Sequence, residues 1–206
     1  TEGINMILII TVPATIGMIV LGNPAVKLIF ERGAFDKAAT AMTAQALIFY
    51  SLGLVGSSLR LMLNKVYYSL QDTRTPMING AVAVGINIVL NLILVRYMAH
   101  SGLALATSIS ATVTTILLFL NLRKKIGKFG MKRYLVCFIK TLAASIVMGL
   151  VVYATYFGIT KLFPGKIAVE LLSLVLSVSL GMLVYFILCC VLRIKEARML
   201  LKRIIR

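Results

Sequence analysis

Charged residues cut the chain into six long stretches that contain none, at 3–26, 38–59, 75–95, 101–122, 141–160 and 171–192. About 20 apolar residues cross a hydrocarbon layer of ~30 Å as a helix, so each stretch is long enough to span a bilayer. The pattern predicts an all-α, polytopic membrane protein with helices at about 3–30, 40–68, 76–96, 101–122, 134–160 and 167–192. The first four make one unit over 1–125; the last two, with a basic tail, make a second over 126–206.

Local signals refine these helices. Pro13 falls in mid-run, where a missing N–H and a ring clash kink a helix. Gly22 and Asn23 suit a helix C-terminus and Pro24 a fresh start, so "AVKLIF" is expected at the outer interface. Pro76 opens the third span, with Thr75 as its N-cap. The fourth begins "SGLALATSISATVTT", whose small and hydroxyl side chains let helix backbones approach closely in lipid. The last two spans have few polar groups beyond hydroxyls and read as lipid-facing, with Lys140 snorkelling to the inner interface. In the tail, Ile194, Ala197, Leu200, Leu201 and Ile204 recur at helical spacing, the pattern of a basic amphipathic helix lying on the inner leaflet.

Composition and charge orient the spans. The chain is 60% hydrophobic and 14% charged, against about 25% charged in soluble domains. Six spans put both ends on one side. One set of alternate connections carries six basic residues (Lys27, Arg32, Lys37, Arg96, Lys161, Lys166), and the other carries fourteen, including Arg74, Arg123, Lys124 and Lys125. Short loops rich in Lys and Arg stay in the cytoplasm, which places the richer set and both ends there. The net charge of +16 is thereby assigned to the membrane surface rather than to nucleic acid. The chain begins at Thr1 without a signal-peptide pattern and reads as a piece of a longer protein.

Enzyme signatures do not assemble. His100 is the sole histidine, and Cys137, Cys189 and Cys190 lie in or beside apolar runs with no metal spacing, so neither a metal site nor a histidine triad is expected. No catalytic residue and no cofactor is assigned, and any coupling ion is left open. Arg60 is the informative charge within a span. A charge at membrane depth faces a wet cavity or a partner, and Asn64 and Gln45 fall roughly on its side; alternatively Arg60 snorkels to lipid phosphate. Asn79, Asn87 and Asn91 share a helix face, as interhelical glue or as a polar lining. Tyr67 and Tyr68 fit an interfacial aromatic belt. In "SLQDTRTPMING", Asp72, Arg74 and Pro76 form a cytoplasmic turn, with substrate contact or an inner gate as the alternatives.

Three motifs, "FERGAFD" (30–36), "YYSLQDTRTP" (67–76) and "SGLALATSIS" (101–110), in this order and at these separations, closely resemble the MurJ/MviN family of lipid II flippases. The family lies within the multidrug/oligosaccharidyl-lipid/polysaccharide transporter superfamily. The resemblance is specific through residue 125; beyond it, hydropathy alone carries the likeness. It implies that the six spans correspond to the ninth to fourteenth of fourteen, in a two-lobed transporter with a cationic central cavity. It also implies that the last two spans flank a groove suited to a long lipid tail. The family's best-known cavity arginines fall in the first, second and eighth spans and are not carried over. Arg60 stands where relatives often have a basic residue, and Asp72, Arg74 and Pro76 match the turn between the tenth and eleventh spans.

The expected function is therefore outward movement of lipid II, or a similar polyprenyl-linked precursor, by alternating access in the bacterial cytoplasmic membrane. The expected partners are that substrate, membrane lipids and cell-wall synthesis proteins, with no nucleic acid. The alternatives are another flippase or a drug or cation antiporter of the same superfamily, or a noncatalytic scaffold for cell-wall synthesis. All six acids fall in loops or near span ends, which counts mildly against an antiporter coupled through membrane carboxylates.

Overall fold

The computed structural model describes residues 2–32, 35–127, 131–163, 167–192 and 194. Its helices are α1 (Glu2–Phe30), α2 (Lys37–Leu52), α3 (Leu54–Ser69), α4 (Arg74–Met98), α5 (His100–Ile126), α6 (Met131–Leu162) and α7 (Ile167–Val191). No strand occurs among the described residues, so the protein is all-α. Five helices are each long and apolar enough to cross a membrane, and α2 with α3, bent by 41° at their junction, makes a sixth candidate span. The amphipathic pattern expected beyond Ile194 lies outside the described residues.

Two helices organise the rest. α1 packs against α2, α3, α6 and α7, and α5 packs against α2, α3 and α4. The face of α5 that the sequence marks with small and hydroxyl side chains is the buried one, including Ser101, Gly102, Ala104, Ser108, Ala111 and Thr115. One apolar core joins α1 to α6 and α7 through Ile9, Leu21, Met148, Val152 and Tyr185. A smaller one joins α3 to α5 through Leu63, Tyr67, Leu118 and Leu122. The outward faces of α4 and α7 stay apolar and exposed, with Val84, Ile88 and Leu92 on one and Leu172, Leu176 and Leu183 on the other.

Three local expectations change. α1 does not stop at Gly22 and Asn23 but runs through Pro24 to Phe30; Leu21, Gly22 and Val26 are buried, and packing overrides the stop signal. Tyr67 is not an interfacial residue. Its ring is wholly buried and its hydroxyl donates to the Leu118 carbonyl at 2.8 Å, while Tyr68 alone of the pair is exposed. Lys140 does not reach for lipid but donates to the Leu192 carbonyl at 3.0 Å, capping the C-terminal end of α7 where the helix dipole favours a cation. Within these last two helices Thr141, Ser145, Ser173 and Ser177 turn into the bundle and are buried, while Ser179 is exposed.

Pro13 explains how α7 is fastened. A proline at this position cannot donate to the carbonyl four residues back, that of Ile9. That carbonyl instead accepts a 2.7 Å hydrogen bond from the Tyr185 hydroxyl of α7. Removing this donor leaves a carbonyl unsatisfied in an apolar interior, which costs about 1–3 kcal/mol. Tyr185→Phe is expected to lower unfolding stability in detergent by that amount. Pro13→Ala, which restores the helical donor, is expected to make the same Tyr185→Phe change nearly neutral. Equal losses in the two backgrounds, measured by thermal unfolding, would refute the assignment.

Candidate functional site

The site is built on the break between α2 and α3. Within "SLGLVGSS", Gly53 and Gly56 lie so close to α5 that an added Cβ on Gly53 would meet Ser108 atoms at 2.5–2.8 Å, and one on Gly56 would meet Thr112 atoms at 3.1 Å. This approach requires glycine at Gly53, and at Gly56 it leaves room for a Cβ only if α5 gives by a few tenths of an ångström. At the bend the Gly53 N–H turns to the Tyr50 carbonyl at 3.1 Å, three residues back instead of four. The Phe49 carbonyl thereby loses its helical donor, and the Ser108 hydroxyl replaces it at 2.5 Å. Thr15 of α1 donates to the Ser51 carbonyl at 3.1 Å, and Thr115 of α5 to the Gly56 carbonyl at 2.7 Å. The bend is thus held by three hydroxyls from two neighbouring helices. Behind it lies an apolar cavity of about 440 Å³, walled by Leu52, Val55, Leu59, Ile116 and Phe119 among others.

The break divides the residues that the sequence grouped into one polar stripe. Gln45 is on α2 and exposed, whereas Arg60 and Asn64 are on α3 and half-buried. Arg60 sits seven residues before Tyr67, about 10 Å along the helix axis. Among the described residues no ion pair or hydrogen bond engages its guanidinium. A second apolar groove, of about 360 Å³, runs between α1, α6 and α7 past Ile10, Gly17, Met148, Val178 and Met182.

The three asparagines of α4 are placed differently from one another. Asn79 is buried and its amide donates to the Thr75 carbonyl at 2.9 Å, within its own helix. Asn91 donates to the Asn87 side-chain oxygen at 3.0 Å, and Asn87 to the Thr107 hydroxyl at 3.3 Å. Asn87 and Asn91 therefore form a chain tying α4 to α5.

In the turn between α3 and α4, Asp72 accepts from the Thr75 N–H at 3.0 Å and from its hydroxyl at 2.7 Å. It caps α4 itself, in place of the Thr75 cap expected from sequence, and Pro76 falls in the first helical turn where no donor is needed. The same carboxylate pairs with Lys125 at the end of α5, at 2.7 Å, rather than with Arg74, which is exposed. Hydrogen bonds from Lys125 and Thr75 hold the Asp72 carboxyl well below the usual carboxylate range. At the other end of the bundle Lys27 of α1 pairs with Glu170 of α7 at 3.0 Å. Sequence reading did not single out Ser108, Thr15, Thr115 or Lys125; glycine within "SLGLVGSS" was the available signal for the break.

The family model for lipid II flippase MurJ matches residues 1–176. A probable lipid II flippase MurJ from Vibrio cholerae is 38% identical over 141 residues, covering 68% of this chain and 27% of the relative. One from Thermotoga maritima is 32% identical over 200 residues, covering 97% of this chain and 39% of the relative. A solved structure of lipid II flippase MurJ in an inward closed conformation superposes with a TM-score of 0.76 at 28% identity, over 91% of this chain and 37% of that one. The chain thus spans between about a quarter and two fifths of the length of these relatives.

The Asp72 geometry predicts a linked phenotype. Asp72→Asn is expected to lower the melting temperature in detergent at low salt, Lys125→Gln to lower it less, and the double variant to lose less than the sum. Because the folded carboxyl is more acidic than the unfolded one, its contribution is complete at neutral pH. It declines only as the pH falls below about 3.9, the ordinary value. Strict additivity in melting experiments would remove the pair from the account.

Proposed function

This chain belongs to the lipid II flippase MurJ family, and from that membership we propose that it is the C-terminal part of a transporter. Its cargo is a lipid-linked peptidoglycan precursor, carried from the inner to the outer leaflet by alternating access. The protein is a multi-pass membrane protein of the bacterial inner membrane, with both ends of this chain in the cytoplasm. Its helices act by binding and moving their cargo, with no chemical step assigned to any residue.

The observation that carries this reading is Arg60. A guanidinium within a span is costly unless it meets a partner or a wet cavity, and no described residue of this chain compensates it. In the proposal it completes a cationic cavity together with the spans that precede this chain, and Asn64, one turn on, lies beside it. The groove between α1, α6 and α7 takes the long lipid tail, since its lining is apolar along its length. The excess of Lys and Arg in alternate connections sets the orientation. Asp72 and Lys125 join α4 to α5 inside one lobe, which supports a fixed turn over an inner gate between lobes.

In the full-length protein, Arg60→Ala is expected to cut lipid II translocation in proteoliposomes at least tenfold and to fail to rescue flippase-depleted cells. Arg74→Ala is expected to remain within about twofold of the parent. Correct insertion of the parent without translocation or rescue would overturn the function. Labelling of single cysteines at Lys37 and Arg96 from outside, and at Arg74 from inside, tests the orientation separately.

A further inference from the structure

The α2–α3 break has a property that a fixed kink does not need. A polar group left without a partner in the apolar interior is expensive, so a bend is normally locked by whatever its donors would lose on straightening. Here little is lost. The Thr15 hydroxyl bonds the Ser51 carbonyl but also the Thr11 carbonyl of its own helix, at 2.9 Å. The Thr115 hydroxyl bonds the Gly56 carbonyl and also the Ala111 carbonyl of its own helix, at 2.8 Å. Each of these two donors keeps a partner at home if α2 or α3 moves away; Ser108, whose acceptors are both on α2, does not. The Gly53 N–H can return to the Phe49 carbonyl, four residues back, and so replace Ser108. The Ser51 hydroxyl is already satisfied within α2, by the Ile48 carbonyl at 2.7 Å.

Room for the movement is also present. The 440 Å³ cavity lies against Leu52, Val55, Gly56 and Leu59, on both sides of the break. α3 is anchored to α5 through the buried Tyr67 hydroxyl, and α2 packs against α1 and α5; the direction of α2 is the quantity the hinge would change.

We propose that the α2–α3 junction is a working hinge, with Ser108 as the positioning residue that latches its bent state through the Phe49 carbonyl. The hinge sets the direction of α2, with Gln45, against α3, with Arg60 and Asn64. Only its purpose, to reshape the cavity during transport, rests on the transporter reading.

The test is a distance measurement that does not require transport. In the full-length protein freed of native cysteines and held in lipid nanodiscs, spin labels at Lys37→Cys and Tyr97→Cys report α2 against α4. With 16 residues at 1.5 Å each, a swing of 10° moves the far end of α2 by about 4 Å. Ser108→Ala is expected to lower the ratio of bent to straight populations about fivefold, the worth of one ordinary hydrogen bond. Thr115→Val, which keeps shape while removing a donor, is expected to shift it in the same direction by less, because the hydroxyl has a second acceptor. A single unchanged distance in the parent and both variants would make the break a static kink, even if lipid II is translocated. Shifting populations without translocation would leave the hinge standing and count against the flippase reading alone.

Discussion

The structure depends on how backbone carbonyls that have lost their helical donors are satisfied where water cannot reach them. Pro13 withdraws the donor of the Ile9 carbonyl, and the bend at Gly53 withdraws that of Phe49. Each vacancy is filled by a hydroxyl from another helix, Tyr185 of α7 in the first case and Ser108 of α5 in the second. Because hydrophobicity gives little drive for helices to associate within lipid, such bonds and close packing decide which helices meet. An imperfection in one helix thereby becomes an attachment point for another.

The two attachments serve different ends. Tyr185 binds α7 to α1 in the middle of a cleft that is otherwise apolar, and the Lys27–Glu170 pair closes the same contact at one end. This holds the last two helices beside α1 while leaving a groove between them. Ser108, with Thr15 and Thr115, holds a bend in the span that carries Arg60. The position of the single most conspicuous charge within the apolar spans thus follows from hydroxyls on α1 and α5 that are not charged at all.

The two described ion pairs lie at opposite ends of the bundle. Asp72–Lys125 joins the α3–α4 turn to the end of α5, and Lys27–Glu170 joins the end of α1 to the start of α7. Each unites connections that the charge count assigned to one side, as an alternating path through a membrane requires. In the proposed transporter the two pairs tie helix ends together, and the proposed hinge lies inside a span, away from both.

The sequence by itself determined the all-α membrane class and the family, through uncharged runs and three ordered motifs. It also marked the packing face of α5, because small and hydroxyl residues cluster there whatever they touch. Only the tertiary structure decided that the second span is broken at Gly53, that α1 passes through Pro24, that Tyr67 is buried, and that Asn87 and Asn91 turn to α5. Hydropathy cannot distinguish these outcomes, since lipid and protein interior are equally apolar and a run of leucines suits both. The deciding bonds join residues far apart in the chain: 51 positions separate Tyr67 from Leu118, 59 separate Ser108 from Phe49, and 176 separate Tyr185 from Ile9. A proline or glycine announces that a carbonyl will be left without its donor; which distant hydroxyl will reach it is set only when the helices are side by side.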